Sequence, residues 1–94
     1  MSELLIETEL KQALKRTPEW DIIGKTIERT FEFDDFEGAI DFVDQVAEIA
    51  EEEDHHPDID VRYNKVRLSL SSHQEHGLTV EDFSVAERID NLEE

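Results

Sequence analysis

An amphipathic segment that is cut short by a proline limits the folds open to this chain. Between residues 36 and 50, apolar residues recur at helical spacing. Pro57 forbids continuation of that helix because it lacks a backbone N–H and its ring clashes with the preceding turn. Two runs that alternate between apolar and polar residues follow, with two residues between them. The segment therefore predicts a helix followed by a β-hairpin.

The predicted helix begins at Asp34 or Asp35, either of which can act as its N-cap. Its apolar residues lie three or four positions apart, as the inner face of a helix requires. They are Phe36, Ile40, Val43, Ala47 and Ala50, and the stripe is widened by Phe42, Val46 and Ile49. We expect this face to be buried.

The hairpin is predicted from the alternation in residues 59–63 and 66–70. Asn64-Lys65 has the length of a two-residue turn, and asparagine tolerates the positive φ that such turns need. A turn at this position puts residues 56–58 near residues 71–73. The two ends of the segment are thereby expected to meet in space.

Two further helices are predicted at the ends of the chain. The first has Ser2 as its N-cap and ends at Thr17-Pro18, since a residue before proline is disfavoured in a helix. The last begins at Thr79, where Asp82 completes a capping box in place of the usual glutamate.

The remaining strands lie between the first two helices. Ile22-Ile23 before Gly24 indicates a short strand and a turn, and residues 26–33 alternate as a half-buried strand does. The element order is then α-β-β-α-β-β-α. Strand pairs separated by a helix predict an α+β fold: a single domain of residues 1–94, with a four-stranded antiparallel sheet and its helices on one face.

The charge of the chain excludes several classes of partner. With 26 acidic and 9 basic residues the net charge is −17, which argues against nucleic acid and against anionic membrane surfaces. The apolar residues are 37% of the chain and periodic, so we interpret the acidity as a solvated shell around an ordinary core and expect a halophilic source. The chain has no cysteine, no apolar run long enough to span a membrane and no signal-peptide pattern, which predicts a cytoplasmic protein.

Three of the four histidines stand where the predicted local structure breaks. His55 and His56 lie between the helix and Pro57, and His73 ends the second strand of the hairpin. The hairpin is expected to bring the three together. Histidine is the side chain whose usual pKa lies nearest to neutral pH, so their convergence predicts a site for proton transfer.

Two of these histidines are expected to play different parts. His55 lies at the negative end of the helix dipole, which favours its protonated form, and Glu51, four positions earlier, is expected to face it. This pairing suits a general acid. His56 lies in extended backbone and is expected to point elsewhere, towards a bound ligand.

Other interpretations of the same residues remain open. A single histidine at a helix end is more often a surface residue than a catalyst, and an acidic run such as residues 51–54 is typical of a solvated face. His73-x-x-His76 together with His55-His56 also offers four imidazoles to a zinc ion. Adjacent histidines rarely both reach one ion, so the sequence favours proton transfer over a metal site.

One long motif joins these residues, and it carries a family resemblance. The motif is Glu51-x3-His55-His56-Pro57-x5-Tyr63-Asn64-Lys65-Val66-x6-His73-x8-Asp82. It resembles the pterin-4a-carbinolamine dehydratases, members of which also serve in animals as dimerisation cofactors of a homeodomain transcription factor. Trp20, Phe31-x-Phe33-x2-Phe36 and Gly77-Leu78-Thr79 extend the resemblance over most of residues 18–90.

The resemblance implies a 4a-hydroxytetrahydrobiopterin dehydratase, a hydro-lyase. Such an enzyme removes water from 4a-hydroxytetrahydropterin to give quinonoid dihydropterin, by general acid/base catalysis without a metal or other cofactor. The implied catalytic residues are His55, His56 and His73, of which His55 and His73 are assigned to acid/base work.

The resemblance also implies supporting and substrate-binding residues. Glu51 and Asp82 would set the charge and orientation of the histidines. His56 would mainly hold the pterin, and Trp20 would lie near the pocket, although a tryptophan is more often a core residue.

Two other hypotheses about function remain open. The same fold is also suited to a non-catalytic, dimerising protein-binding module, since a fold alone does not fix a function. It also suits a pterin-binding protein of another pterin pathway. In every case the exposed edges of a small antiparallel sheet favour a homodimer or homotetramer.

Overall fold

The computed structural model describes residues 3–92 and contains three helices and one four-stranded sheet. The elements are α1 (Glu7–Arg16), β1 (Asp21–Ile23), β2 (Thr26–Glu32), α2 (Phe36–Glu53), β3 (Asp58–Arg62), β4 (Lys65–Leu70) and α3 (Val80–Asn91). The sheet is antiparallel throughout, with strand order β1-β2-β4-β3. The predicted α+β fold and its α-β-β-α-β-β-α order are therefore confirmed.

One face of the sheet carries the core, because alternate residues of the central strands β2 and β4 point towards the helices. In the register Ile27 pairs with Leu70 and Phe31 with Val66, and all four side chains are buried. Helix α2 packs against β4 and against α3, and α3 packs against α1. The other face of the sheet carries residues such as Glu28, which alternate with the core positions.

Helix α2 begins as predicted and buries mainly the residues that were predicted to widen its apolar stripe. The Asp35 carboxylate accepts a hydrogen bond from the Gly38 N–H at 2.8 Å, which settles the choice between the two candidate N-caps. The buried residues are Ala39, Phe42, Val46, Ile49 and Ala50. Phe36 and Ala47, two members of the predicted main stripe, are exposed.

Aromatic packing between α2 and the sheet explains which face of α2 is buried. The Phe42 ring lies 4.6 Å from the Phe31 ring and 5.0 Å from the Phe33 ring, measured between centroids. Three aromatic side chains bury more apolar surface than the smaller residues of the predicted stripe. The row that sequence analysis treated as a widening of the stripe therefore faces the sheet.

The hairpin turns one residue earlier than predicted. Arg62 pairs with Lys65, so the loop is Tyr63-Asn64, and the positive φ of 55° falls on Tyr63. Asn64 ties the loop to the end of β2: its side-chain amide donates to the Phe33 carbonyl at 2.8 Å, and its own carbonyl accepts from the Phe33 N–H at 2.8 Å.

This shift in the turn changes which residues oppose each other at the open end of the hairpin. Asp58 pairs with Ser69, where the predicted turn would have paired it with residue 71. Residues 55–57 therefore lie across from residues 70–72. The two open ends of the hairpin therefore meet as expected, but the pairing between its strands is shifted by two residues.

Helix α1 begins later than expected. It starts at Glu7, after Ile6, whose N–H donates to the Glu9 carboxylate at 3.0 Å. Ser2, the predicted N-cap, lies outside the described residues. The helix ends at Thr17 as predicted, where the threonine hydroxyl donates to the Ala13 carbonyl at 3.2 Å.

None of the helices between residues 3 and 92 has the length and apolar character needed to cross a membrane.

Candidate active site

The end of α2 directs His55 away from the helix. Asp54 adopts the left-handed conformation, with φ 51° and ψ 44°, and the His55 N–H donates to the Ala50 carbonyl at 3.0 Å. This is the hydrogen-bond pattern of a Schellman motif, with aspartate in the position that glycine usually takes. Because the chain reverses its twist at Asp54, His55 leaves the surface of α2 and turns towards α3.

His55 is held by a buried carboxylate of α3. Its Nε2 atom lies 2.6 Å from Asp82 Oδ1, and Asp82 is fully buried while the His55 side chain is 12% exposed. A carboxylate only accepts hydrogen bonds, so Nε2 carries the hydrogen of this contact. The other ring nitrogen, Nδ1, lies 3.8 Å from Glu81 Oε1. The predicted support of a histidine by Asp82 thus falls on His55.

The second oxygen of Asp82 joins two other buried groups. Oδ2 accepts from the Thr79 N–H at 2.9 Å and from the Ser72 hydroxyl at 2.8 Å. The predicted capping box at the start of α3 is therefore present, and the same residue performs both tasks with different oxygens. Every buried side-chain nitrogen or oxygen within residues 3–92 has a hydrogen-bond partner.

Glu51 pairs with His56, contrary to the expectation that it faces His55. The His56 Nε2 atom lies 2.6 Å from Glu51 Oε2, and the two side chains are 55% and 77% exposed. The expected i, i+4 contact requires helical backbone up to residue 55. The left-handed residue Asp54 removes that condition and leaves His56 as the neighbour of Glu51.

His73 is carried by a tight turn between β4 and α3. The Ser72 N–H donates to the Gly77 carbonyl at 2.8 Å, and the Glu75 N–H donates to the Ser72 carbonyl at 3.1 Å. The turn rests on the amino-terminal segment: a Cβ atom on Gly77 would come within 2.9 Å of Leu4 Cδ2.

The three predicted histidines line one cleft. Its volume is about 450 Å³, and its other walls are Glu53, Asp54, Ser71, Ser72, Gln74, Glu75 and Glu81. A larger groove of about 640 Å³ lies beside it between α1 and α3, with a more apolar lining that contains none of the histidines. Proton transfer needs titratable groups, so the smaller cleft is the candidate active site.

The chain also matches a known protein family. The sequence profile described as pterin 4 alpha carbinolamine dehydratase matches residues 3–92. The chain belongs to this family.

Relatives along nearly the whole chain support the assignment. A protein of Picosynechococcus sp., provisionally named a pterin-4-alpha-carbinolamine dehydratase, is 45% identical over 92 residues, which is 98% of this chain and all of the relative. A protein of Chloroflexus aurantiacus with the same provisional name is 47% identical over 88 residues, 94% of this chain and 95% of that one.

Two solved structures are similar to this dehydratase-family chain. A transcriptional coactivator/pterin dehydratase from Brucella melitensis has a TM-score of 0.91 at 35% identity, covering 96% of this chain and 98% of that one. A pterin dehydratase-like protein identified as a RuBisCO assembly factor in the alpha-carboxysome has a TM-score of 0.69 at 26% identity, covering 79% and 88%.

The structure does not bring Trp20 to the cleft of this family member. Trp20 is buried in the core, in a T-shaped contact with Phe31 at a centroid distance of 6.2 Å. Its Nε1–H donates to Asp90 Oδ1 at 2.8 Å, and Arg29 donates to the same oxygen at 2.6 Å. A substrate-binding role for Trp20 stays a prediction for which the cleft offers no contact.

The same cluster explains a charge on the apolar face of β2. Arg29 lies 4.1 Å above the Phe31 ring and is neutralised by Asp90. Sequence analysis did not identify Asp90, which lies 61 positions from Arg29 and has no local signal that links the two.

No metal-binding arrangement forms in the described part of the chain. Within residues 3–92 no group of three or more His, Asp or Glu side chains is placed to hold a metal ion. His76, which the four-imidazole hypothesis needs, adopts a positive φ of 62° and does not line the cleft.

A clamp of charged residues holds α2 to α3 beside the cleft. Arg88 donates to Glu53 Oε2 at 2.7 Å and to Glu52 Oε1 at 2.5 Å. These hydrogen bonds, first from Glu52 and then from Glu53, raise the pKa of the Arg88 guanidinium above its usual value. The group therefore remains a cation over the whole neutral range.

Ser72 is the residue that sequence analysis missed in the site. A signal for it was available, because the buried positions of β4 are Val66, Leu68 and Leu70, and the alternation continues inward to residue 72. A serine at an inward position needs a polar partner. The buried Asp82 is that partner.

Proposed function

We propose that this protein dehydrates a 4a-hydroxytetrahydropterin by histidine acid/base catalysis. The observation that carries the proposal is the shared cleft of His55, His56 and His73, in which His55 is bound to a buried carboxylate. Membership of the dehydratase family supports the same reaction class. The substrate we favour within that class is 4a-hydroxytetrahydrobiopterin.

The reaction needs two proton movements, and the cleft offers a group for each. The C4a–O bond breaks as the 4a-hydroxyl takes up a proton and leaves as water. The N5 proton is lost to a base, and the electron pair of the N5–H bond forms the double bond of quinonoid dihydropterin. One proton is given and one is taken, so the net number of protons on the enzyme is unchanged, and the proton returns from the base to the acid through solvent before the next turnover.

We assign His55 and His73 to these proton movements. The Nε2 atom of His55 is engaged by Asp82, so Nδ1 is the nitrogen that is left for the substrate. His73 lines the same cleft and is exposed, so its ring can move to a ligand.

We assign His56 to holding the pterin. It is exposed, lies at the rim of the cleft and is paired with Glu51 at the surface. A carboxylate beside the imidazole directs the ring and leaves its other nitrogen for a ligand.

A dehydration assay tests the proposal directly. Purified protein in salt-matched buffer is expected to speed the conversion of 4a-carbinolamine to quinonoid dihydropterin above the buffer-catalysed rate. His55→Ala and His73→Ala should each lower kcat by about a hundredfold, the contribution typical of a general acid or base. Circular dichroism checks that both variants are folded.

His76→Ala is the matched control, because it removes the same side chain from the same turn at a position outside the cleft. It should keep wild-type activity. Wild-type protein that is no faster than buffer would refute the proposal, as would His55→Ala with full activity.

A second function, that of a non-catalytic binding module, is favoured by one observation. The similar protein of the alpha-carboxysome is described as a RuBisCO assembly factor, which is a task of assembly. If this chain were such a module, it would retain a stable protein partner in pull-downs, and the histidine substitutions would leave that binding unchanged. The assay and the pull-down with the same variants separate the two functions.

A homodimer or homotetramer fits either function. Strand β3 is at one edge of the sheet and has five residues whose outer backbone groups face away from β4. We propose that copies of the chain associate by pairing such edges. Light scattering that reports only monomer across the micromolar range would contradict this.

A further inference from the structure

We propose that Ser72 is a positioning residue that fixes His55 and His73 in position relative to each other. The proposal rests on the dehydratase function proposed above and adds a residue to it. Ser72 itself is buried and contributes to the reaction only through its neighbours.

The hydroxyl of Ser72 is the central member of a chain of hydrogen bonds in which each donor and acceptor is fixed. Ser72 donates its single hydrogen to Asp82 Oδ2 at 2.8 Å. Its oxygen lies 2.8 Å from Thr79 Oγ1, so Thr79 must be the donor there. Thr79 Oγ1 in turn accepts from the Glu81 N–H at 3.2 Å. Each group in the chain can therefore be oriented in one way only.

The direction of this chain decides which oxygen of Asp82 meets His55. Oδ2 is occupied by the Ser72 hydroxyl and the Thr79 N–H, and Oδ1 is the oxygen that contacts His55 Nε2 at 2.6 Å. With Asp82 held in this way, the His55 ring keeps its hydrogen on Nε2 and leaves Nδ1 for the substrate. Without the Ser72 hydroxyl, Oδ2 loses a donor and the hydroxyl of Thr79 loses its acceptor.

The backbone of Ser72 helps to fix the turn that carries His73. Its N–H and C=O both bond to the turn that follows, and His73 is the next residue in the chain. One residue thus reaches His55 through its side chain and His73 through its peptide groups. No other residue lining the cleft in the described part of the chain bonds to Asp82 and also adjoins His73.

The test compares Ser72→Ala with Ser72→Thr, which restores a hydroxyl on the same carbon. Ser72→Ala should lower kcat by about tenfold, the scale of one buried hydrogen bond to a charged group, with KM little changed. Ser72→Thr should recover most of the loss. Ser69→Ala is the matched control, because Ser69 lies on β4, three residues before Ser72, and its hydroxyl bonds to Glu28. It should keep wild-type kcat.

A spectroscopic arm reads the positioning itself and needs no substrate. The ¹⁵N NMR signals of the His55 ring should show a single tautomer with hydrogen on Nε2 in the wild type and in Ser72→Thr, and a mixture of tautomers in Ser72→Ala. If Ser72→Ala does not fold, Ser72→Cys carries the same expectation, since a thiol is similar in size and a weak donor.

The two arms keep this inference separate from the proposed function. A wild-type protein without dehydratase activity would refute the function, while the ring signals would still decide the role of Ser72. Wild-type kcat together with an unchanged His55 tautomer in a folded variant that lacks the Ser72 hydroxyl would overturn the positioning role.

Discussion

The two histidine–carboxylate pairs of the cleft have the same length and different surroundings. His55–Asp82 and His56–Glu51 both measure 2.6 Å between nitrogen and oxygen. The Asp82 carboxylate is fully buried and has two further partners, Ser72 and the Thr79 N–H, whereas the Glu51 side chain is 77% exposed. An exposed hydrogen-bonded pair stabilises a protein little, while a buried carboxylate that loses a partner is left without solvation. Distance alone therefore does not say which pair the fold depends on.

Asp82→Asn should have the largest effect, because it breaks the buried pair. We expect a loss of about 3 kcal/mol in the free energy of unfolding, measured by urea denaturation, and a fall of about a hundredfold in kcat. Glu51→Gln, the matched change in the exposed pair, should cost about 0.5 kcal/mol or less. Equal losses in the two variants would contradict the contrast between the pairs.

His56→Ala sharpens the comparison by separating binding from chemistry. If His56 holds the pterin, its removal should raise KM by roughly tenfold and leave kcat within about threefold of the wild type. Steady-state kinetics beside His55→Ala, in which kcat falls, checks the assignment. A collapse of kcat in His56→Ala with unchanged KM would reverse the proposed roles.

Salt should distinguish the exposed region from the buried one. At a net charge of −17, raising the salt concentration from about 0.1 M to about 1 M shortens the screening length from about 10 Å to about 3 Å and relieves the self-repulsion of the shell. We expect Tm to rise by at least about 5 °C, which is about 1 kcal/mol for a domain of this size. The loss in Asp82→Asn should persist at 1 M salt.

Sucrose is the control for the salt experiment, because it stabilises proteins by exclusion from their surface without screening charge. A Tm that rises no more in salt than in sucrose would remove the argument for an acidic shell adapted to salt.

Arg88→Gln should have a smaller effect than Asp82→Asn, His56→Ala or the change in salt concentration. The pKa of Arg88 is raised in the folded protein by its hydrogen bonds to Glu52 and Glu53, so its contribution is complete below the usual pKa of an arginine and is lost only as the pH rises through the raised pKa. Thermal denaturation should therefore show a small difference from the wild type that is constant from about pH 6 to about pH 10 and vanishes in high salt. A difference that changes within this pH range would mean that Arg88 has another partner.

The parts of the fold that sequence predicted are those with local signals. The helices, the strand pairs and the cap at Thr79 follow from periodicity and from capping residues, and all are present. The turn was misplaced by one residue because Asn64 is used in a tertiary contact with Phe33, which outweighs its preference for positive φ. Propensity at a single residue yields to packing in such cases.

The site was predicted in its residues more fully than in its pairings. The motif indicated His55, His56 and His73, and the cleft contains all three. The pairing of Glu51 with His55 failed because one left-handed residue, Asp54, ended the helix between them. Aspartate is uncommon in that conformation, so the sequence did not predict the end of the helix at this residue.

The packing of Leu4 against Gly77 makes residues 4 and 5 part of the support of the candidate active site. The turn that carries His73 closes against Leu4, and the neighbouring Leu5 N–H donates to the Leu78 carbonyl at 2.9 Å. Proteolytic trimming past Leu5, or a bulky affinity tag fused close to it, would therefore loosen the wall of the cleft that carries His73 without removing a histidine. Preparations that differ only in their amino-terminal processing should be compared for activity before any substitution is interpreted.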